Sequence, residues 1–260
     1  MLIEINNLSW SNNGQPAVLD VAFGLEAGEH AVLLGCNGCG KSTLLRLLNG
    51  LIHPDSGSIL YDGQIVDRHT LANRPFHRRF RHEVGLLFQD PAAMLFHSTV
   101  ADEIAYGPRQ FKLADPVERA RHWAETIGVD HLWERTPAEL SRGEQQRVAL
   151  ASILVLEPRV LLLDEPTASL DPRSTGWLVD FLMDHTATIL TATHNLSLAT
   201  ELGDRALVLG EDHRLHYDGD VLALRDNHDV LLHANLVHTH RHRHRRGDIE
   251  HRHYHTHDWD

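Results

Sequence analysis

Apolar residues in this chain come in short, dense runs separated by polar turns, and the runs predict alternating strands and helices. "AVLL" at residues 31 to 34 reads as a buried strand, and the leucines of "LLRLL" at 44 to 48 fall on one helical face just after a cluster of glycines. "RVLLLDE" at 159 to 165 predicts an apolar strand that ends in two carboxylates, and "ILTATHN" at 189 to 195 another that ends at His194. "VADEIAYG" at 100 to 107 and "DPVERARHWAETIG" at 115 to 128 read as amphipathic helices. From about residue 228 the pattern fails: no apolar face can be drawn through "HTHRHRHRRGDIEHRHYHTH", residues 238 to 257.

Composition narrows this picture. A chain of 260 residues with 42% apolar content can hold one large domain or two modest ones. No run approaches the roughly 18 to 20 apolar residues that a membrane-spanning helix needs. "MLIEINNLSW" lacks the basic start and apolar core of a secretory signal, so a cytosolic protein is expected. A formal charge of −12 argues against a general nucleic-acid binder. Cys36 and Cys39 are the two cysteines, too few and too close for a disulfide framework.

Between the first strand and its helix stands Gly35-Cys36-Asn37-Gly38-Cys39-Gly40-Lys41-Ser42, followed by Thr43. The spacing G-x-x-x-x-G-K-S in a strand-to-helix context is that of a phosphate-binding loop. Glycines let successive backbone N–H groups converge on anionic oxygens, and the helix start adds the positive end of its dipole. Lys41 can reach the β- and γ-phosphates of ATP, and the Ser42 hydroxyl can ligate Mg²⁺. The C-x-x-C spacing inside the loop admits two accounts: a redox-sensitive thiol pair beside a lysine, or small side chains chosen for a crowded turn. After such a loop, a strand ending in Asp164 and Glu165 suits a Mg²⁺-binding carboxylate followed by the base that polarises the attacking water.

"ELSRGEQQRVALASILVLEP" resembles the signature region of the ATP-binding cassette family, normally L-S-G-G-Q before a helix. Leu140, Ser141 and Gly143 match; Arg142 and Glu144 depart, and an arginine is tolerated at 142 only where the backbone avoids positive φ. Further matches follow in family order: Gln89 in "LLFQDP" as the glutamine that senses nucleotide, ligates Mg²⁺ and faces a membrane partner; Ser169 to Asp171 as the loop crossing a dimer interface; His194 as the switch histidine. The family's adenine-stacking aromatic would fall on Asn12, with Trp10 two residues earlier as the substitute. The resemblance implies a parallel-sheet α/β P-loop ATPase core, an antiparallel β subdomain at its start, and a helical subdomain between about Gln89 and Glu144. It also implies that two copies sandwich ATP head to tail, Ser141 and Gly143 of one closing over phosphates held by Lys41 of the other.

The stretch "GLLFQDPAAMLFHSTVADEIAYGPRQ" resembles energy-coupling-factor importer ATPases, within which the subunit serving cobalt or nickel uptake is the nearest likeness; Met94 departs from the usual glutamine. That resemblance implies a motor held on the cytoplasmic face of the membrane by separate integral subunits contacted near Gln89. Zinc or vitamin import is the rival cargo reading, and a soluble regulatory ATPase with a metal-buffering tail is the rival class. The domain expectation is an ATPase domain over 1 to 227 and a disordered His-rich tail over 228 to 260. In that tail His238, His240, His242 and His244 form one block and His251, His253, His255 and His257 another, a composition suited to Ni²⁺ or Co²⁺. Successive histidines of an extended H-x-H run start about 6.8 Å apart and alternate with arginines, so modest, exchanging affinity is expected.

Overall fold

The computed structural model describes residues 1–168, 170–243 and 250–256. Ser169, His244 and His257 therefore lie outside the described residues. The chain opens with a hairpin of β1 (Ile3–Asn12) and β2 (Gln15–Leu25), then β3 (His30–Leu34) and α1 (Lys41–Leu48). The strands β4 (Ser56–Tyr61) and β5 (Gln64–Ile65) complete an antiparallel sheet of order β2-β1-β4-β5. Two helices, α2 (Arg68–Ala72) and α3 (Arg74–Glu83), lead into β6 (Val84–Leu87).

Three helices follow: α4 (Val100–Phe111), α5 (Pro116–Ile127) and α6 (Arg142–Leu154). Thr99 caps the first, and a Ser141–Glu144 capping box starts the last. Their inward residues, among them Ile104, Ala124, Val148, Leu150 and Leu154, are buried in one cluster, as the helical periodicity requires. β7 (Val160–Asp164), α7 (Pro172–Met183), β8 (Thr188–Thr193), α8 (Leu196–Leu202), β9 (Arg205–Leu209) and β10 (Leu215–Asp220) then build the second sheet, of order β10-β9-β3-β8-β7-β6. Five of its strands run parallel, with β10 antiparallel at one edge.

Every residue of β7 and β8 is buried, which is why those strands read as unbroken apolar or small runs rather than as alternation. Their side chains nonetheless divide by parity. Ala31, Leu33, Leu162 and Leu190 join a core shared with α1, α3 and the antiparallel sheet, while Val32, Leu34, Leu163 and Ile189 join one shared with α4 to α8. The parallel sheet is thus the middle layer of the expected α/β architecture, with an antiparallel β subdomain on one side and a helical subdomain on the other.

Packing continues beyond residue 227. After α9 (Val221–Leu224) comes α10 (His228–His233), and Leu231, Ala234, Leu236 and Val237 are all buried in the larger core. The final described elements are β11 (Val237–Arg243) and β12 (Glu250–Thr256), paired as an antiparallel ribbon.

Candidate functional site

The parallel strands end at one edge of the sheet, and the turns leaving them supply the site. β3 ends at Leu34, and the glycine-rich turn carries the chain into α1 through Gly40, whose φ is 116°. A Cβ at Gly40 would also stand 2.0 Å from the Ala17 carbonyl oxygen, so this position requires glycine for both conformation and space. No side chain caps the start of α1 and no acidic residue sits in its first turn, which leaves its N–H groups for an anion.

A cleft opens over this turn, lined by Ala17, Asn37, Gly38, Gly40, Lys41, Ser42, Thr43, Gln89, Asp164 and Glu165. The residues that the motifs place on three separate segments meet there. Lys41 is buried and donates from Nζ to the carbonyls of Gly35 at 2.7 Å and Cys36 at 3.2 Å. Its ammonium also lies 3.7 Å from Glu165 Oε1.

Asp164 ends β7 at 3% exposure, and its Oδ1 has no hydrogen-bond partner among the described residues. Burial pushes its carboxyl above the usual aspartate range, against the opposing pull of a hydrogen bond from Ser42. A buried carboxylate oxygen free of donors, next to a serine hydroxyl and across from a glutamine amide, is an all-oxygen set that fits Mg²⁺. Ser42, Asp164 and Gln89 are the residues that would hold it.

Glu165 is fixed differently. The chain turns through φ 49° at this residue, the left-handed region that a side chain enters at a cost of about 1–2 kcal/mol, and its N–H donates to the Ala192 carbonyl at 2.9 Å. Thr193 Oγ1 donates to Oε2 at 3.1 Å, and His194 Nδ1 lies 2.8 Å from Oε1. Because a carboxylate only accepts, Nδ1 of His194 carries the proton in this pairing. Neighbouring strand ends therefore aim one carboxylate from two sides.

Other expected site residues stand elsewhere. His194 lines a second cavity with Cys36, Asn37, Glu211, Asn235 and Leu236. Ser141 and Gly143, at the start of α6, are not among the residues lining the Lys41 cleft, and Asp171 is occupied as the cap of α7, accepting from the N–H groups of Arg173 and Ser174. Arg142 has no positive φ; it occupies the first helical position, where any side chain is accommodated. The Ser141 hydroxyl is held at 2.7 Å by Glu144, the residue that departs from the signature glutamine. Trp10 sits in β1 opposite Val18, packed against the core, and does not line the cleft.

The thiols are held protonated: burial raises Cys39 to about 11 and moves Cys36 in the same direction, outweighing the nearby lysine. Sequence patterning gave no sign of Ala17 or Thr193 as site residues, because both act through backbone closeness or a short hydroxyl inside ordinary strands. Glu103 is another such residue. Buried in α4, it accepts the N–H groups of Phe96 and His97 at 2.8 Å each and so fixes the loop that follows Gln89; the repeated acidic position in "TVADE" was its only trace.

Known proteins resemble this chain in sequence and in fold. Residues 18–168 match the family described as ABC transporter. A protein of Methanosarcina acetivorans, named as an ABC transporter ATP-binding protein, is 41% identical over 91% of this chain and 89% of its own length. One of Caldanaerobacter subterraneus subsp. tengcongensis with the same kind of name is 40% identical over 91% of this chain and 99% of its own. Among solved structures, cbiO1 of Clostridium perfringens, described as part of the ABC transporter complex cbiONQ, superposes with a TM-score of 0.75 at 31% identity, covering 90% of this chain and 94% of that one. An ATP-binding cassette dimer bound to ADP and Pi shares the fold, with a TM-score of 0.74 at 23% identity over 84% of this chain and 98% of that one. The chain belongs to the ABC transporter family, as an ATP-binding, Mg²⁺-dependent ATPase subunit.

Proposed function

We propose that this chain is the motor of an importer of the energy-coupling-factor type, acting as a pair of copies on the cytoplasmic face of a membrane and serving nickel or cobalt uptake. The observation that carries the reading is the 31% identical likeness to cbiO1, a protein described as part of a transporter complex. No helix among the described residues is long and apolar enough to cross a membrane, so a transport role requires separate integral subunits.

A surface suited to such a subunit stands next to Gln89. Phe96 is 67% exposed and packs edge-on against Tyr106, itself partly exposed, on the loop that Glu103 fixes. Exposed aromatic side chains on a braced loop are good anchors for a partner.

In the proposed cycle the phosphates of ATP compete with the Gly35 and Cys36 carbonyls for Lys41, while the uncapped start of α1 receives their charge. Mg²⁺, held by Ser42, Asp164 and Gln89, would neutralise phosphate charge as it develops. Glu165 orients the attacking water, and His194 and Thr193 hold Glu165 in place. Ser141 and Gly143 complete the site from the second copy, which accounts for their lying outside the cleft of their own chain. The departure at Glu144 places a carboxylate on the serine that would touch phosphate, and burial in the closed pair would have to accommodate that charge.

The cargo reading rests on the stretch from Gly85 to Gln110 and on the imidazole-rich end of the chain. Cells carrying the wild-type chain should accumulate several-fold more Ni²⁺ or Co²⁺ than cells carrying Lys41→Ala, with Zn²⁺ unchanged. A zinc-only difference would redirect the cargo, and no difference for any cation would remove the metal reading.

A further inference from the structure

Charge is unevenly spread along this acidic chain. Residues 68 to 82, which run through α2 and most of α3, hold five arginines and three histidines and no acidic residue, in a protein whose formal charge is −12. Phe76 and Phe80, one helical turn apart, keep α3 on the core: their rings stack at 5.9 Å, and buried Phe80 meets Tyr61 edge-on. Two of the arginines serve the fold. Arg79 pairs with Asp62 at 2.8 Å and Glu83 at 3.3 Å, and Arg81 donates to the carbonyls of Asn49 and Gly50. The other three are left to solvent. Arg68 and Arg74 are exposed and have no hydrogen-bond or ion-pair partner among the described residues. Arg78, also exposed, reaches the Phe111 carbonyl and ring, and neither cancels its charge. The bordering acids are already occupied: Asp67 caps α2, and arginines hold Asp62 and Glu83. α3 also packs on the end of α4, where His82 stands edge-on to Phe111 with ring centroids 4.9 Å apart. Tyr106, one of the exposed aromatic residues beside the Gln89 loop, precedes Phe111 on that helix by about 7.5 Å of axial rise.

We propose that the exposed side of α2 and α3 is a docking surface for the anionic headgroups of a lipid bilayer. The inference rests on the proposed seat at a membrane and adds which side of the chain turns toward the lipid. Guanidinium is weakly hydrated and offers a planar fork of donors that matches phosphate, so unpaired arginines suit phosphodiester headgroups. Each arginine close to an anionic leaflet strengthens partition about fivefold. Arg68, Arg74 and Arg78 stand at separate positions on two helices, which suits a field of like charges more than a shaped acidic peptide. A cavity of about 420 Å³ beside them, lined by Gln64, His69, Asn73, Phe76 and Arg79 among others, has room for a headgroup. The Asn73 side-chain oxygen accepts the Phe76 N–H, which leaves its amide N–H groups to face an acceptor. The negative charge of the chain as a whole makes the attraction directional rather than general.

Flotation of the full-length chain with vesicles, in the presence of ADP to occupy the Lys41 cleft, reads this directly. Vesicles of phosphatidylcholine alone should leave the chain free. An equal mixture of phosphatidylcholine and phosphatidylglycerol should carry it at low salt and release it at about 1 M salt, where the screening length falls to about 3 Å. Arg68→Gln with Arg74→Gln breaks no hydrogen bond or ion pair among the described residues and should weaken that binding about 25-fold. Arg135→Gln with Arg225→Gln removes the same charge from exposed positions elsewhere and should stay within about twofold of the wild type. Wild-type binding by the first variant would assign the attraction to another part of the chain, and equal losses in both would assign it to net charge. Either result overturns the proposal, as does a chain that binds polyglutamate but neither kind of vesicle. The vesicles hold no integral subunit, so such a failure leaves the motor reading standing. Loss of membrane retention in cells with vesicle binding intact would count against that reading alone.

Discussion

Asp164 and Glu165 are adjacent, yet the fold treats them in opposite ways. Glu165 is pinned by Thr193, His194 and its own strained turn, whereas Asp164 is buried with an oxygen that nothing among the described residues satisfies. A buried acceptor without a donor costs about 1–3 kcal/mol. Asp164→Asn should therefore raise the melting temperature of the protein without Mg²⁺ at pH 7.5 by about 4 °C, while abolishing ATP turnover. The sign follows from the raised carboxyl: a group whose folded pKa lies above its unfolded one costs stability at high pH and nothing below the ordinary aspartate range. The gain should thus be full at neutral pH and vanish as pH falls below that range, as melting curves across pH would register. A variant that is less stable at pH 7.5 would show that the orphaned oxygen is not a strain on the fold. The identities of both carboxylates could be read from "LLLDE", but the left-handed turn that separates their roles could not, because it depends on Ala192 and Thr193 of the neighbouring strand.

Among elements, those with strong local signals were legible and those stabilised from a distance were not. The strand before the phosphate loop and the amphipathic helices α4 and α5 follow from apolar patterning that lies close in sequence, whereas the helix after Ser141, buried on most of its sides, was legible only through its likeness to the signature region. α10 does not: "HDVLLH" is short and polar-flanked, and it is held by burial of Leu231 and of Leu236 and Val237 beyond it. The expected tail boundary at 227 thus cuts through buried residues. Each large aliphatic side chain kept from water contributes about 1.5–3 kcal/mol. A chain ending at Asn227 should melt at least about 10 °C below the full-length protein, whereas one ending at Val237 should melt within about 2 °C of it. Scanning calorimetry of both would check this, and equal melting of the two shortened chains would remove α10 from the core. The ribbon that follows was hidden for a different reason. A period-2 alternation of histidine with polar residues fits an extended solvated chain as well as a strand, and only cross-strand register distinguishes them.

At the scale of the whole molecule, a single copy presents two half-built surfaces. One is the cleft of Lys41, Ser42, Asp164 and Glu165; the other is the capped start of α6, with Ser141 and Gly143. Among the described residues nothing brings the second onto the first, and motif order alone gives residues but not the copy from which they act. The proposed pairing makes ATP the element joining the surfaces and hydrolysis the event that separates them. Glu165→Gln removes the base while keeping the side-chain volume, and the loss of a general base slows hydrolysis by about 10²–10⁴-fold, long enough to hold a pair together. Sedimentation of the Glu165→Gln protein with saturating ATP and Mg²⁺ is the most direct test. The account predicts a doubling of mass that disappears when ATP is replaced by ADP; a mass that stays at one subunit, in solution and beside its membrane subunits alike, would contradict it.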